Sequence, residues 1–121
     1  MKESATVSKI RLKAAKKGIY LWRNNIGAVH TVDGNFIRFG LANDSKSVNS
    51  QLKSSDLIGI KPIKITPDMV GKTIGVFMAR EVKRPGWEYT DTLRERAQLN
   101  WINLINSLGG DAAFITHEDE L

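Results

Sequence analysis

The chain has 121 residues, enough for one domain with a single core and small enough to leave an oligomer open, and residues 1–121 are read as one domain. Its 18 Lys and Arg against 13 Asp and Glu give a formal net charge of +5, which favours an anionic partner. The absence of cysteine excludes disulfides and cysteine-based zinc sites, and no stretch is long and apolar enough to span a bilayer.

The positive charge is concentrated at the start, where Lys2, Lys9, Arg11, Lys13, Lys16, Lys17 and Arg23 face only Glu3, while His117-Glu118-Asp119-Glu120-Leu121 turns acidic. This asymmetry suits a nucleic-acid-facing end and a solvated tail. The charged N-terminus has no apolar run behind it, so no signal peptide is expected there and the expected location is intracellular and cytoplasmic.

Val7, Ile10 and Ala14 fall at helical spacing, so the first segment predicts an amphipathic helix that Gly18 ends behind Lys16 and Lys17. Ile19-Tyr20-Leu21-Trp22 predicts a strand that delivers Arg23, Asn24 and Asn25 at its end. Ala28 to Arg38 predicts a hairpin turning at Asp33-Gly34. Residues Ala42 to Ser54 are polar and lack periodicity, so a mobile surface loop is expected. Leu57-Ile58-Gly59-Ile60 resumes an apolar strand directly after Asp56, Pro62 and Pro67 bracket a connection, and Thr73 to Lys83 predicts the next strand. Thr92 and Glu95 have capping-box spacing, and Leu93, Ala97, Trp101, Leu104, Ile105 and Leu108 form an apolar stripe down the helix that follows. Gly109-Gly110 stops this helix before a last strand, Ala112-Ala113-Phe114-Ile115. The order predicts an α/β fold, a mixed β-sheet flanked by helices.

Glu81 lies within an apolar stretch, where an unpaired charge is costly. Alternation along a strand places Glu81 and Lys83 on one face, with Val82 packing on the other and Arg80 pointing away from Glu81. An ion pair with Lys83 explains Glu81 in part; a divalent cation shared with Asp56 explains it better. Mg2+ takes near-octahedral oxygen ligation and keeps several waters, so Asp56, Glu81 and the Val82 backbone carbonyl suffice as protein ligands. Lys83 would then reach the attacking water or the scissile phosphate. Taken singly, Asp56 also reads as a turn former and Lys83 as a surface lysine. Arg23, Asn24 and Asn25 are candidates for gripping phosphates, with an Asn-rich turn as the plain alternative. Lys46 and Lys53 in the polar stretch are candidate DNA contacts or solvated lysines. Trp87 either covers the core, the favoured choice, or stacks on an unpaired base. His30 and His117 are isolated and are taken as bystanders.

Asp56 followed by Glu81-Val82-Lys83 resembles the PD-(D/E)XK nuclease superfamily. Leu21-Trp22-Arg23-Asn24-Asn25-Ile26-Gly27-Ala28, Ser54-Ser55-Asp56-Leu57-Ile58-Gly59-Ile60, Glu81-Val82-Lys83, Gln98 and Gly109-Gly110 together resemble the virus-type replication-repair nuclease (VRR-NUC) family over nearly the whole chain. The resemblance implies a restriction-endonuclease-like core and a Mg2+ or Mn2+ site at Asp56 and Glu81. It also implies catalytic roles for Lys83 and Gln98, an assisting metal role for Glu3, and a stronger case for Arg23. Ser55 stands where the superfamily has proline, as the narrower family does. Standalone members are associated with phage and with branched DNA such as Holliday junctions. The expected protein is thus a metal-dependent, structure-selective DNA endonuclease, a homodimer by junction symmetry, working in the cytoplasm of a host cell if phage-encoded. A non-catalytic DNA-binding module of the same fold, and a flap or nicking nuclease, are the alternatives.

Overall fold

In the computed structural model of the chain, which describes residues 2–121, the basic N-terminal segment forms helix α1 (Glu3–Lys16). Glu3 in its first turn and Lys13 and Lys16 in its last complement the helix dipole. Of the expected stripe only Ala14 is buried, while Ile10 remains 47% exposed. The helix packs against strand β1 (Tyr20–Arg23), which pairs antiparallel with β4 (Leu57–Ile60), Trp22 opposite Ile58 and Arg23 opposite Leu57. Gly59 makes that ladder possible: a Cβ there would lie 1.8 Å from the Tyr20 carbonyl oxygen.

Between these strands lies the predicted hairpin, β2 (Gly27–His30) and β3 (Phe36–Phe39), antiparallel with Gly27 opposite Phe39. The Gly34 N–H donates to the Thr31 carbonyl to close the turn. The polar stretch expected to be an irregular loop instead contains a short helix, α2 (Lys46–Gln51). Ser45 caps it by accepting the Val48 N–H at 3.1 Å, and a cap of this kind sets a helix start without any apolar stripe.

After Pro62 the chain makes a 3-10 turn at Pro67–Met69, then strand β5 (Met78–Val82), helix α3 (Leu93–Ser107), strand β6 (Asp111–Ile115) and a last 3-10 turn at Glu118–Glu120. β5 and β6 are parallel, with Glu81 opposite Phe114 and Val82 opposite Ile115, and α3 is the crossover that a parallel pair requires. The strand expected from Thr73 begins only at Met78, because the ladder starts where Asp111 meets Met78. Gly109, at φ +91, takes the left-handed turn that ends α3.

The expected stripe on α3 is only partly the face it buries: Ile105 is fully buried and Leu104 and Leu108 are half-buried, but its N-terminal half is exposed. Leu93 is 81% and Trp101 39% exposed, whereas Glu95, Ile102 and Ile105 are buried. The inward face follows 95, 98, 102 and 105, and polar side chains sit on it because partners await them on neighbouring segments. Val82, expected to pack, is 73% exposed.

The chain is thus mixed α/β. Among the described residues its strands form three two-stranded sheets, two antiparallel and one parallel, in place of one continuous mixed sheet. It divides into two compact units, one reaching to Lys61 and the other running from Pro62 to Leu121. Among the described residues no helix is long and apolar enough to cross a membrane.

Candidate functional site

In the second unit, the period of β5 turns Glu81 and Lys83 towards α3, where Gln98 meets both. The Lys83 ammonium donates to Gln98 Oε1 at 2.8 Å, and Gln98 Nε2 donates to Glu81 Oε1 at 2.9 Å. Lys83 Nζ is itself 3.9 Å from the same Glu81 oxygen. Only one orientation of the Gln98 amide serves a cation on one side and a carboxylate on the other, so this bridge fixes the side chain.

Lys83 is held further by aromatic rings. Its Nζ lies 5.4 Å from the Trp87 ring centroid and 5.8 Å from that of Phe114, within cation–π range. The two rings are 4.7 Å apart and form one wall. The ammonium side chain is 16% exposed, whereas that of Glu81 is 39% exposed. An ionised carboxylate offers about four lone-pair sites, so Glu81 keeps accepting capacity beyond its bond to Gln98. A hollow of about 410 Å³ opens beside it, lined by Glu81, Arg94, Ala97, Gln98 and Trp101.

Arg80 points away from Glu81, as alternation requires, and pairs with Asp111 at 3.1 Å. The Lys83 N–H bonds the Ile115 carbonyl at 2.8 Å, so the Val82 carbonyl, one residue earlier, faces the strand edge opposite β6. Among the described residues no three His, Cys, Asp or Glu side chains gather as a metal-binding cluster. Mg2+ and Mn2+ need fewer: one or two carboxylates with carbonyls and water are enough. The part-exposed Glu81 carboxylate and the outward Val82 carbonyl, adjacent in the chain, are hard-oxygen donors of that kind.

A second carboxylate, Glu95, only 6% exposed, is linked to Lys83 through Trp87. It accepts the Trp87 indole N–H at 3.0 Å, the Thr90 N–H and hydroxyl at 3.2 and 3.0 Å, and the Thr92 N–H at 2.9 Å. Thr92 returns the bond by accepting the Glu95 N–H, completing the predicted capping box. The Thr92 backbone N–H above all, then the Thr90 hydroxyl and N–H, hold the Glu95 carboxyl down at about 2 from an ordinary 4.5, against burial, which pushes it up. Glu95 thereby pins the Trp87 ring against Phe114 and Lys83. The sequence marked Glu95 only as a cap and left the aromatic wall unread; the nearness of Trp87 to Lys83 in the chain was the available signal. Trp87 is half-buried and packs against Phe114.

In the first unit, Asp56 is exposed just ahead of β4, and its carbonyl accepts the Asn24 N–H at 2.9 Å. The Asn24 amide donates to Ser54 Oγ at 2.8 Å and the Ser55 carbonyl at 2.9 Å, and its oxygen accepts the Leu41 N–H. Asn24 therefore braces the segment that carries Asp56. Arg23 and Asn25 are exposed at the end of β1, Lys46 is exposed at the start of α2, and Glu3 is exposed at the start of α1. Lys53 donates to the Asn49 carbonyl and side-chain oxygen. Thus Glu81, Val82, Lys83 and Gln98 come together in the second unit, while Asp56, Arg23, Asn24, Asn25, Lys46, Lys53 and Glu3 belong to the first.

No family model matches the chain, and searches of curated proteins and of solved structures find no match either.

Proposed function

We propose that this chain is a Mg2+- or Mn2+-dependent DNA endonuclease with a restriction-endonuclease-like core, acting as a homodimer on branched DNA such as Holliday junctions. The observation that carries this proposal is the Lys83–Gln98–Glu81 hydrogen-bond chain, which joins a preorganised ammonium to a part-exposed carboxylate beside a hollow. Phosphodiester hydrolysis needs a cation where charge grows on the phosphate and an acceptor that orients the attacking water. Lys83 supplies the first, held in place by Gln98 and the rings of Trp87 and Phe114 before substrate arrives. Glu81 supplies the second, with lone pairs open to solvent.

Glu81 and the Val82 carbonyl are the residues of this unit that would hold the metal. When bound, Mg2+ or Mn2+ supplies Lewis acidity, lowering the pKa of water and countering phosphate charge. Gln98 bridges Lys83 and Glu81, whose charges stand 3.9 Å apart, and holds both in place. Asp56 and Glu3, both in the first unit, stand as metal-ligand candidates from the sequence, and their own substitutions test them. Arg23, Asn24, Asn25, Lys46 and Lys53 would contact the DNA backbone, favouring shape over sequence.

The test is cleavage of a labelled four-way junction, beside linear duplex and single strand, in Mg2+, in Mn2+ and in EDTA. Paired, metal-dependent incisions in the junction are expected, and Glu81→Ala and Lys83→Ala abolish them while metal-free binding stays within a few-fold. Cleavage at the wild-type rate by either variant removes the site assignment. Binding without incision in any metal makes the chain a non-catalytic DNA-binding module, and equal incision of all substrates keeps the chemistry but removes the selectivity for junctions.

A further inference from the structure

A second polar hollow, of about 410 Å³, lies wholly within the first unit, between the β2–β3 hairpin and α2. Arg38, Lys53, Asn43, Asn49 and Ser54 contribute to its lining, which holds two cations and no carboxylate among the described residues. Both cations are fixed. Arg38 Nη1 donates to Asn43 Oδ1 at 3.0 Å, and Asn43 is only 3% exposed. Asn43 in turn donates to the carbonyls of Gly27 at 2.8 Å and Phe39 at 2.9 Å, so the amide that aims Arg38 is anchored to the hairpin backbone. Lys53 donates to the Asn49 carbonyl at 3.0 Å and to Asn49 Oδ1 at 2.8 Å.

A guanidinium has five N–H donors and an ammonium three, so both groups keep donors to spare after these bonds. Arg38 is half-buried and, among the described residues, forms no ion pair; its other neighbour is the Phe36 ring, 5.3 Å from the guanidinium carbon. Partial burial of a cation without a counter-ion is unfavourable, and a bound oxyanion would relieve it. The tetrahedral oxygens of a phosphate match a forked guanidinium beside a point-charge ammonium.

We propose that this hollow is a phosphate-binding site, with Arg38 as its fork and Lys53 as its second cation, and that its ligand is a backbone phosphate of the DNA. That the phosphate belongs to DNA rests on the function proposed above, whereas the anion site rests on this hollow alone. The site gives Arg38, which sequence patterns left unassigned, a specific role, and it sets Lys53 in a preformed pocket.

Binding of a labelled four-way junction in EDTA, followed by fluorescence anisotropy across a sodium chloride series, tests it. Arg38→Gln and Lys53→Gln are each expected to weaken binding roughly tenfold near ~0.1 M salt and to lower the salt slope by about one, the signature of one lost phosphate contact. Arg38→Lys restores the slope but only part of the affinity, because the fork is gone. Lys72→Gln, an exposed lysine of the second unit, leaves both unchanged. Lys53 is exposed, so its variant keeps the test valid if Arg38→Gln perturbs the fold. In parallel, inorganic phosphate is titrated into the wild-type protein while the Arg38 Nε–H and Asn43 side-chain amide signals are followed by NMR, and saturable shifts of both are expected. Unchanged slopes in both glutamine variants, or an equal loss in Lys72→Gln, overturn the proposal. Phosphate-induced shifts without any junction binding overturn DNA as the ligand. Normal cleavage with unchanged slopes sinks this pocket alone, and reduced slopes without cleavage in any metal sink the nuclease alone.

Discussion

Glu81 and Glu95 are both carboxylates at the interface of α3 with its neighbours, one on the strand and one on the helix, yet their surroundings make opposite use of the same group. Glu95 is 6% exposed and accepts from the Trp87 indole, from the N–H and hydroxyl of Thr90 and from the N–H of Thr92, so its capacity is consumed inside the protein. The Glu81 side chain is 39% exposed, takes one bond from Gln98 and stands 3.9 Å from the ammonium of Lys83. A saturated carboxylate organises its own loop; one with open lone pairs beside a fixed cation is available to a ligand. The first kind of group serves stability, and the second is the kind that the proposed chemistry requires.

That contrast breaks most visibly through activity. Glu81→Ala is expected to lower junction cleavage by ~10³ or more while leaving the thermal midpoint near that of the wild type. A large loss of midpoint in this variant would assign Glu81 to the fold and erase the distinction. Gln98→Ala comes next: loss of the bridge should reduce cleavage ~10- to 100-fold, as for groups that orient a reacting side chain through a hydrogen bond, with DNA binding retained. Unaltered turnover in this variant would show the bridge to be structural.

Glu95→Gln carries the opposite signature, lowering the thermal midpoint by several degrees at neutral pH. Its acid range is equally informative. Because the folded-state pKa is depressed to about 2 from 4.5, the stabilisation from Glu95 is full above pH 4.5 and is lost as pH falls towards 2. Midpoints of the wild type and Glu95→Gln should therefore converge as pH falls from about 4.5 to about 2; a constant gap would contradict the bonding described for this group. The smallest effect belongs to Asp111→Asn. Its partner Arg80 is on the other face of β5, and the Asp111 side chain is 58% exposed, so the change should stay within ~1 kcal/mol in denaturant unfolding and leave cleavage untouched.

The capping box of α3 was legible because Thr92 and Glu95 are local to one turn, and the hairpin because Asp33-Gly34 is a short-range turn signal. The α1 boundary and the pairing of Glu81 with Lys83 on one strand face were legible for similar reasons. The buried face of α3 was legible only in part: Ile105 lies on the apolar stripe, whereas Glu95 and Ile102 do not. Apolar periodicity selects Leu93 and Trp101, but the helix is turned by the groups it must satisfy: Glu95 by its loop and Gln98 by β5. Hydropathy cannot register a polar side chain whose partners lie on another segment. The same limit hid Asn43, whose burial follows from two hairpin carbonyls and Arg38, and the start of β5, which depends on where β6 begins to pair.

Trp87 touches both carboxylate systems at once, its indole N–H on Glu95 and its ring facing the ammonium of Lys83. Indole emission responds to charge near the ring, so the protein carries an optical probe at its candidate reaction centre. With Trp22 and Trp101 replaced by phenylalanine, the colour and intensity of the remaining fluorophore would follow displacement of the Lys83 ammonium as metal or nucleic acid enters. Occupancy could then be timed by stopped-flow without attaching any label.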